Sequence, residues 1–283
     1  MLFPNTKTST TVWDMEDDRS VGVLEGHTST IFSAQINNNG SMAVTIPCEP
    51  VVHDDELRAV KVWNLGTMQC TASLISSRLL ASTLLQDRLL LGSYDGTIKV
   101  WDIGGSTPVA LMDLEGHTGF ITASDTSNIV LSGSHDKSMR LWDLRTGQCV
   151  RVMEGHNDAV RSVSMDSACR NIVSGSDDKT AKLWDLGSGR CIQTYKFDGY
   201  AHSVMMHESG GSFLVASGDV FFSAFFTAPG YTDSTIIRDV DLSSMCDSMS
   251  VNLPSVAASR DLSRVGLCCL KPREDSLAVS VWK

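Results

Sequence analysis

Apolar and polar residues alternate along most of this chain in short runs, separated by Gly, Asp, Asn and Ser. "TIKVWDI" puts Ile98 and Val100 on one face and Lys99 and Trp101 on the other, the period of two that a half-buried strand needs. "GSYDGT", "GSHDKS" and "GSDDKT" each set a Gly/Asp turn between two such runs, as a hairpin requires. No segment offers a long apolar face at helical spacing, so the pattern predicts an all-β chain. The strands also recur. A tryptophan closes an apolar run at Trp13, Trp63, Trp101, Trp142, Trp184 and Trp282, in steps of 50, 38, 41, 42 and 98 residues. The last step divides into 56 and 42 if "STIIRDVDL" is a worn copy with Val240 in the tryptophan place.

A period of about 40–45 residues ending in Trp-Asp marks four-stranded propeller blades. Gly26-His27, Gly116-His117 and Gly155-His156 open units that Trp-Asp or Trp-Asn closes. On these motifs the chain resembles the WD40-repeat family over essentially its whole length. The resemblance implies one WD40 β-propeller over residues 1–283, with units near 20–64, 67–102, 107–143, 147–185, 190–241 and 245–283 and an orphan strand at 7–14. Each unit would run from an outer strand through the three inner strands of the next blade. Two closures stay open. "SVGVLEG" either pairs with the final triplet, giving six complete blades and a tail before about Arg19, or belongs to a seven-bladed propeller whose incomplete first blade lacks two strands.

In that family a His, a strand Ser, a turn Asp and the Trp form a buried hydrogen-bond chain. By residue match these are His117, Ser132, Asp136 and Trp142 in one blade, and His156, Ser174, Asp178 and Trp184 in the next. Indole N–H only donates, while Ser and neutral His do both, so such a chain can be satisfied link by link. The set recurs blade after blade whereas an active site occurs once. Ser-His-Asp is therefore read as structural, and no catalytic residue is expected.

Departures from the repeat are where function is sought. "PCEPVVHDDELR" lengthens the unit ending at Trp63, and "DVFFSAFFTAPGYTD" is read as the equivalent insertion in the worn unit. Both are expected on the propeller face that family members use for binding. Phe221, Phe222, Phe225 and Phe226 are candidate partner anchors. The plainer alternative is that "VFFSAFF" extends a strand against the propeller's own surface, since four exposed phenylalanines invite aggregation. His53 with Asp54, Asp55 and Glu56 reads as a solvated acidic loop rather than a metal site. Arg161 stands where F-box/WD-repeat ubiquitin ligase receptors put phosphate-reading arginines, with Phe32 and Thr122 at the equivalent places. One arginine makes no phosphate pocket, and Asp177 is expected to pair with it. Tyr94, Phe120, His135 and Arg161 remain candidate contacts for another partner. "IVLSGSHDKSMRLWDLR" resembles the WDxR box of cullin–RING ligase receptors, in which Arg145 would touch the adaptor; the alternative is an ordinary turn.

Composition narrows the classes. Net charge is −10 with pI near 5.1, which argues against nucleic-acid phosphate or anionic lipid as the main partner. The eight cysteines show no CxxC pair, and Cys70, Cys149 and Cys191 recur at one place in the repeat, as small buried hydrophobes would. The start lacks signal-peptide order, and the most apolar stretch is too short to span a bilayer. The expectation is a cytoplasmic chain, the nucleus left open, acting as a non-catalytic interaction scaffold for a protein or peptide partner, without cofactor or metal. A cullin–RING substrate receptor is the alternative. A propeller enzyme is a further one, disfavoured because "IFSAQ", "FITAS" and "AVRSV" offer no converging carboxylates at the inner-strand starts.

Overall fold

The computed structural model describes residues 2–6, 8–14, 19–37, 39–47, 58–76, 79–85, 87–105, 107–119, 121–123, 129–206, 210–217, 221–226, 235–237, 252–258, 265–270 and 277–282. These residues form strands and turns, with no helix among them. The fold is all-β, as the strand pattern predicts, and its strands fall into small antiparallel sheets.

One compact unit runs from Met1 to Glu115. Its first sheet holds β1 (Leu2–Thr6), β2 (Ser9–Asp14) and β3 (Arg19–Glu25). The second holds β4 (Ile31–Ile36), β5 (Met42–Pro47), β6 (Arg58–Asn64) and β7 (Gln69–Ser76). The third holds β8 (Leu79–Leu85), β9 (Arg88–Ser93), β10 (Ile98–Asp102) and β11 (Val109–Leu114). The other unit begins at Gly116. Its fourth sheet holds β12 (Ile121–Ala123), β13 (Ile129–Ser134), β14 (Ser138–Asp143) and β15 (Gln148–Glu154). The fifth holds β16 (Val160–Met165), β17 (Asn171–Ser176), β18 (Thr180–Asp185) and β19 (Arg190–Lys196). The sixth holds β20 (Ala201–Met206), β21 (Ser212–Ser217), β22 (Phe221–Phe226) and β23 (Thr235–Ile237). The seventh holds β24 (Asn252–Ala258), β25 (Val265–Leu270) and β26 (Leu277–Trp282).

Within each unit successive sheets stack face to face, because each strand pair buries one row of aliphatic residues that only another sheet can cover. Val44, Ile46, Val60 and Val62 of the second sheet meet Leu79, Leu84, Leu89 and Leu91 of the third. Leu131, Met139 and Leu141 of the fourth meet Val160, Val163 and Met165 of the fifth. Gly175 marks how close the stacking is: a Cβ there would stand 2.6 Å from the Ala201 carbonyl oxygen. The pairing of the tryptophan strand with the outer strand after it shifts register beside the tryptophan in each of the first five sheets, at Val12/Trp13, Val62/Trp63, Val100/Trp101, Leu141/Trp142 and Leu183/Trp184.

Five expectations change. The strand at 7–14 is no orphan: β2 lies between β1 and β3, so Ser20–Gly26 pairs there and not with the final triplet. The first sheet therefore has three strands, as does the last. Phe221, Phe222, Phe225 and Phe226 lie in β22, which is itself the third strand of the sixth sheet, not a loop insertion. Phe225 pairs with Phe213 as Trp184 pairs with Ile172, so Phe225 takes the tryptophan place assigned to Val240. Residues 227–234 therefore connect a third strand to a fourth, whereas residues 48–57 connect a second to a third, so the two segments are not equivalent in the repeat. Finally, Cys70 and Cys191 are exposed and Cys149 half-buried, because they sit on outer edge strands with no further sheet strand beyond them.

Candidate interaction site

In the fourth and fifth sheets the turn between second and third strands anchors a buried hydrogen-bond chain. In the fifth sheet Trp184 Nε1–H donates to Ser174 Oγ at 2.8 Å. Ser174 Oγ lies 2.7 Å from His156 Nε2, and His156 Nδ1 lies 2.8 Å from Asp178 Oδ2. With the imidazole neutral, one direction satisfies every link: indole to hydroxyl, hydroxyl to Nε2, Nδ1–H to carboxylate. Burial lowers the His156 pKa, the Asp178 hydrogen bond only partly opposing it. The fourth sheet repeats this with Trp142, Ser132, His117 and Asp136 at 2.8 Å for each link. Burial works against the Asp136 charge, but hydrogen bonds from Ser138, His117 and the Thr118 and Ser138 amides bring its pKa down to about 2. The histidine comes into place because Gly155, at φ 150°, turns the chain over the Trp184 ring. The second sheet holds a version that the sequence reading did not assemble: Trp63 donates to Thr45 Oγ1 at 2.7 Å, and His27 Nε2 lies 2.6 Å from the same oxygen. These side chains are occupied by one another and offer nothing to a substrate.

What differs from sheet to sheet is the first strand. Its pairing with the second shifts register between Ile31/Ser33, Leu79/Ala81, Ile121/Ala123, Val160/Ser162 and Ala201/Ser203. The extra residue at each bulge is Phe32, Leu80, Thr122, Arg161 and His202 respectively, and bulges re-aim side chains out of the pleat. In the fifth sheet Arg161 meets Asp177, the residue just past β17. Nε donates to Oδ1 at 2.9 Å and to Oδ2 at 2.8 Å, and Nη2 donates to Oδ2 at 2.6 Å. The Asp177 hydrogen bonds raise the Arg161 pKa further above its ordinary value. His135 holds the same turn place in the fourth sheet. Burial lowers its pKa, the Arg161 cation adds to that, and Asp177 and Asp158 oppose it. Tyr200, 50% exposed, packs its ring edge-on to His202 with centroids 5.7 Å apart. The structure thus brings together His135, Arg161 and its expected partner Asp177, and adds Asp158, Tyr200 and His202. His202 was legible in principle: counting back from the apolar strand aligns "AHSV" with "VRSV".

The family model for the WD domain, G-beta repeat, matches residues 70–102, 108–143 and 147–185. The chain carries WD40 repeats. Each matched WD40 segment runs from an outer strand to the third strand of the following sheet. Over 196 residues the chain is 27% identical to Mitochondrial division protein 1 of Candida glabrata, covering 55% of this chain and 26% of that protein. Over 155 residues it is 30% identical to the CCR4-associated factor 4 homolog of Candida glabrata, covering 44% and 26%. Over 141 residues it is 28% identical to Autophagy-related protein 16 of Arabidopsis thaliana, covering 48% and 26%. The chain spans about a quarter of the length of these relatives.

The remaining sequence candidates stand apart. Tyr94 is exposed in the β9–β10 turn. Phe120 and the His53–Glu56 loop lie outside the described residues, as do the side chains of Phe221, Phe222, Phe225 and Phe226. Arg145 is exposed, but its Nε and Nη2 donate to Asp143 at 3.2 and 2.9 Å. Among the described residues no His/Cys/Asp/Glu group is placed to hold a metal, and no helix is long and apolar enough to cross a membrane.

Proposed function

We propose that this WD40 chain is a non-catalytic interaction scaffold that holds a protein or peptide partner at the bulge edge of sheets four to six. The observation carrying it is the contrast at that edge. The second and third strands of the fourth and fifth sheets repeat closely, while the bulged and turn positions of sheets four to six present Arg161, His202, His135 and Asp177 in different chemistries. A repeat specifies the fold; its variable, re-aimed positions are free to specify a partner. Its setting on this reading is the cytoplasm or nucleus. A photo-crosslinking residue at Tyr200 should capture discrete partners from cell extract, while the same residue at Ile192, on the exposed outer strand β19, should not. Equal capture at both sites would remove the reading.

A substrate receptor for a cullin–RING ligase is the alternative, resting on exposed Arg145. Arg145→Ala should strip the adaptor from the co-purified set on that alternative, and leave the set unchanged on ours.

A further inference from the structure

We propose that the open edge of the Arg161 guanidinium receives a carboxylate, an Asp or Glu side chain of the partner, beside Tyr200. This rests on the partner surface proposed above and adds the chemistry it selects. A guanidinium has two paired-donor edges. Asp177 fills the Nε/Nη2 edge with three contacts, whereas Nη1 has no hydrogen-bond partner among the described residues. The Arg161 side chain keeps 38% of its surface exposed and Asp177 only 15%. Asp177 is further anchored through its own N–H to the Ala159 carbonyl at 3.0 Å. The pair therefore differs from a mobile surface ion pair: a held carboxylate aims the fork.

The remaining Nη1/Nη2 edge is a planar pair of donors, matched to the two oxygens of a carboxylate. Charge favours the singly negative ligand. Asp177 and Asp158 already act on Arg161, so a phosphate with nearly two charges would meet two carboxylates with one cation to offset them. A lysine or arginine of a partner would meet the guanidinium itself. The Tyr200 ring offers apolar surface to the residue next to the acid.

The test uses short peptide pools, randomised except for a central Glu, Gln, phosphoserine or Lys, passed over the immobilised chain. The Glu pool should be retained about ten-fold over the Gln pool and above the other two. Arg161→Gln should erase that preference, and Arg161→Lys, a point donor, should restore part of it. Asp177→Asn should weaken it by releasing the fork. The unfolding midpoint of each variant shows that the fold persists. A Glu preference that survives Arg161→Gln, or a best-retained phosphoserine or Lys pool, overturns the proposal. Equal retention of all pools, lost in Tyr200→Ala, overturns the carboxylate but keeps the partner surface. Retention of no pool above bare matrix overturns both.

Discussion

The fifth and third sheets place a tryptophan at the same register and surround it differently. Trp184 pairs across to Ile172 and Trp101 to Leu89. One step further in, the fifth sheet has Ser174 and the third has Leu91, both fully buried. Ser174 collects the indole N–H and passes the chain to His156 and Asp178. Leu91 accepts nothing, and Trp101 Nε1 is buried without a partner. The third sheet keeps the turn carboxylate, since Asp95 Oδ1 accepts from the Thr97 amide and hydroxyl at 2.9 and 2.6 Å. It fills the serine place with hydrocarbon packed against Val44 and Val60. Losing both polar partners together is nearly neutral, while stranding one is costly. The third sheet has done mostly the former, with one indole N–H left over. The second sheet is intermediate, with His27 and Trp63 bracketing Thr45.

This contrast can be broken from either side. His156→Ala opens a cavity and strands Ser174 and Asp178, and should lower the unfolding free energy by about 4 kcal/mol; a urea titration followed by tryptophan fluorescence reads it. A loss under 1 kcal/mol would mean the polar chain is no more demanding than the third sheet's leucine. Acid probes His27, whose pKa burial lowers from 6.5 to about 4, with the Lys61 cation adding to the effect. The unfolded imidazole takes a proton near pH 6.5 and the folded one only near 4, so the unfolded state binds more protons between those values. Stability from this group is full above pH 6.5 and should fall by about 3 kcal/mol on acidification towards pH 4. His27→Gln should remove that segment of the pH profile. Leu91→Ser should cost about 1 kcal/mol less than Leu89→Ser, because only the former hands Trp101 an acceptor; equal costs would deny the hydroxyl that role. The smallest effect concerns the turns. Lys179 sits at φ 64° where the third sheet has Gly96 at φ 85°. Lys179→Gly should stabilise the chain by ~0.5 kcal/mol, the relieved strain exceeding the entropy of a freer unfolded chain.

Most of the fold was legible because strand alternation and the tryptophan period report the same thing independently. The two complete polar chains were legible because each link needs a particular residue type. Reading failed where hydrocarbon replaces those types. Any large apolar side chain can take the tryptophan register, so "FFSAFF" could be read as strand but Phe225 could not be placed as the tryptophan position of a third strand, and Val240 lay at a plausible spacing. β1 was missed because "LFPNT" breaks alternation and contains Pro4, which is tolerated on an edge strand where its missing N–H faces no partner. At the candidate site Arg161 was conspicuous, and its pairing with Asp177 was foreseen. Tyr200 and His202 were not, because the sixth sheet is entered without a Gly-His pair to count from, and the alignment of "AHSV" with "VRSV" that would have found His202 has to be counted back from the apolar strand.

The register shift beside the first five tryptophans has a colloidal consequence. Outer strands carry exposed Val21, Val109, Leu111, Val150 and Ile192, and a straight edge of that composition would template stacking of one molecule upon another. A bulge bends and twists such an edge, so two copies cannot lay these rims together in register over more than a few residues. Repeated on five sheets, it acts in the same direction as the net charge of −10, which sets copies of the chain to repel one another.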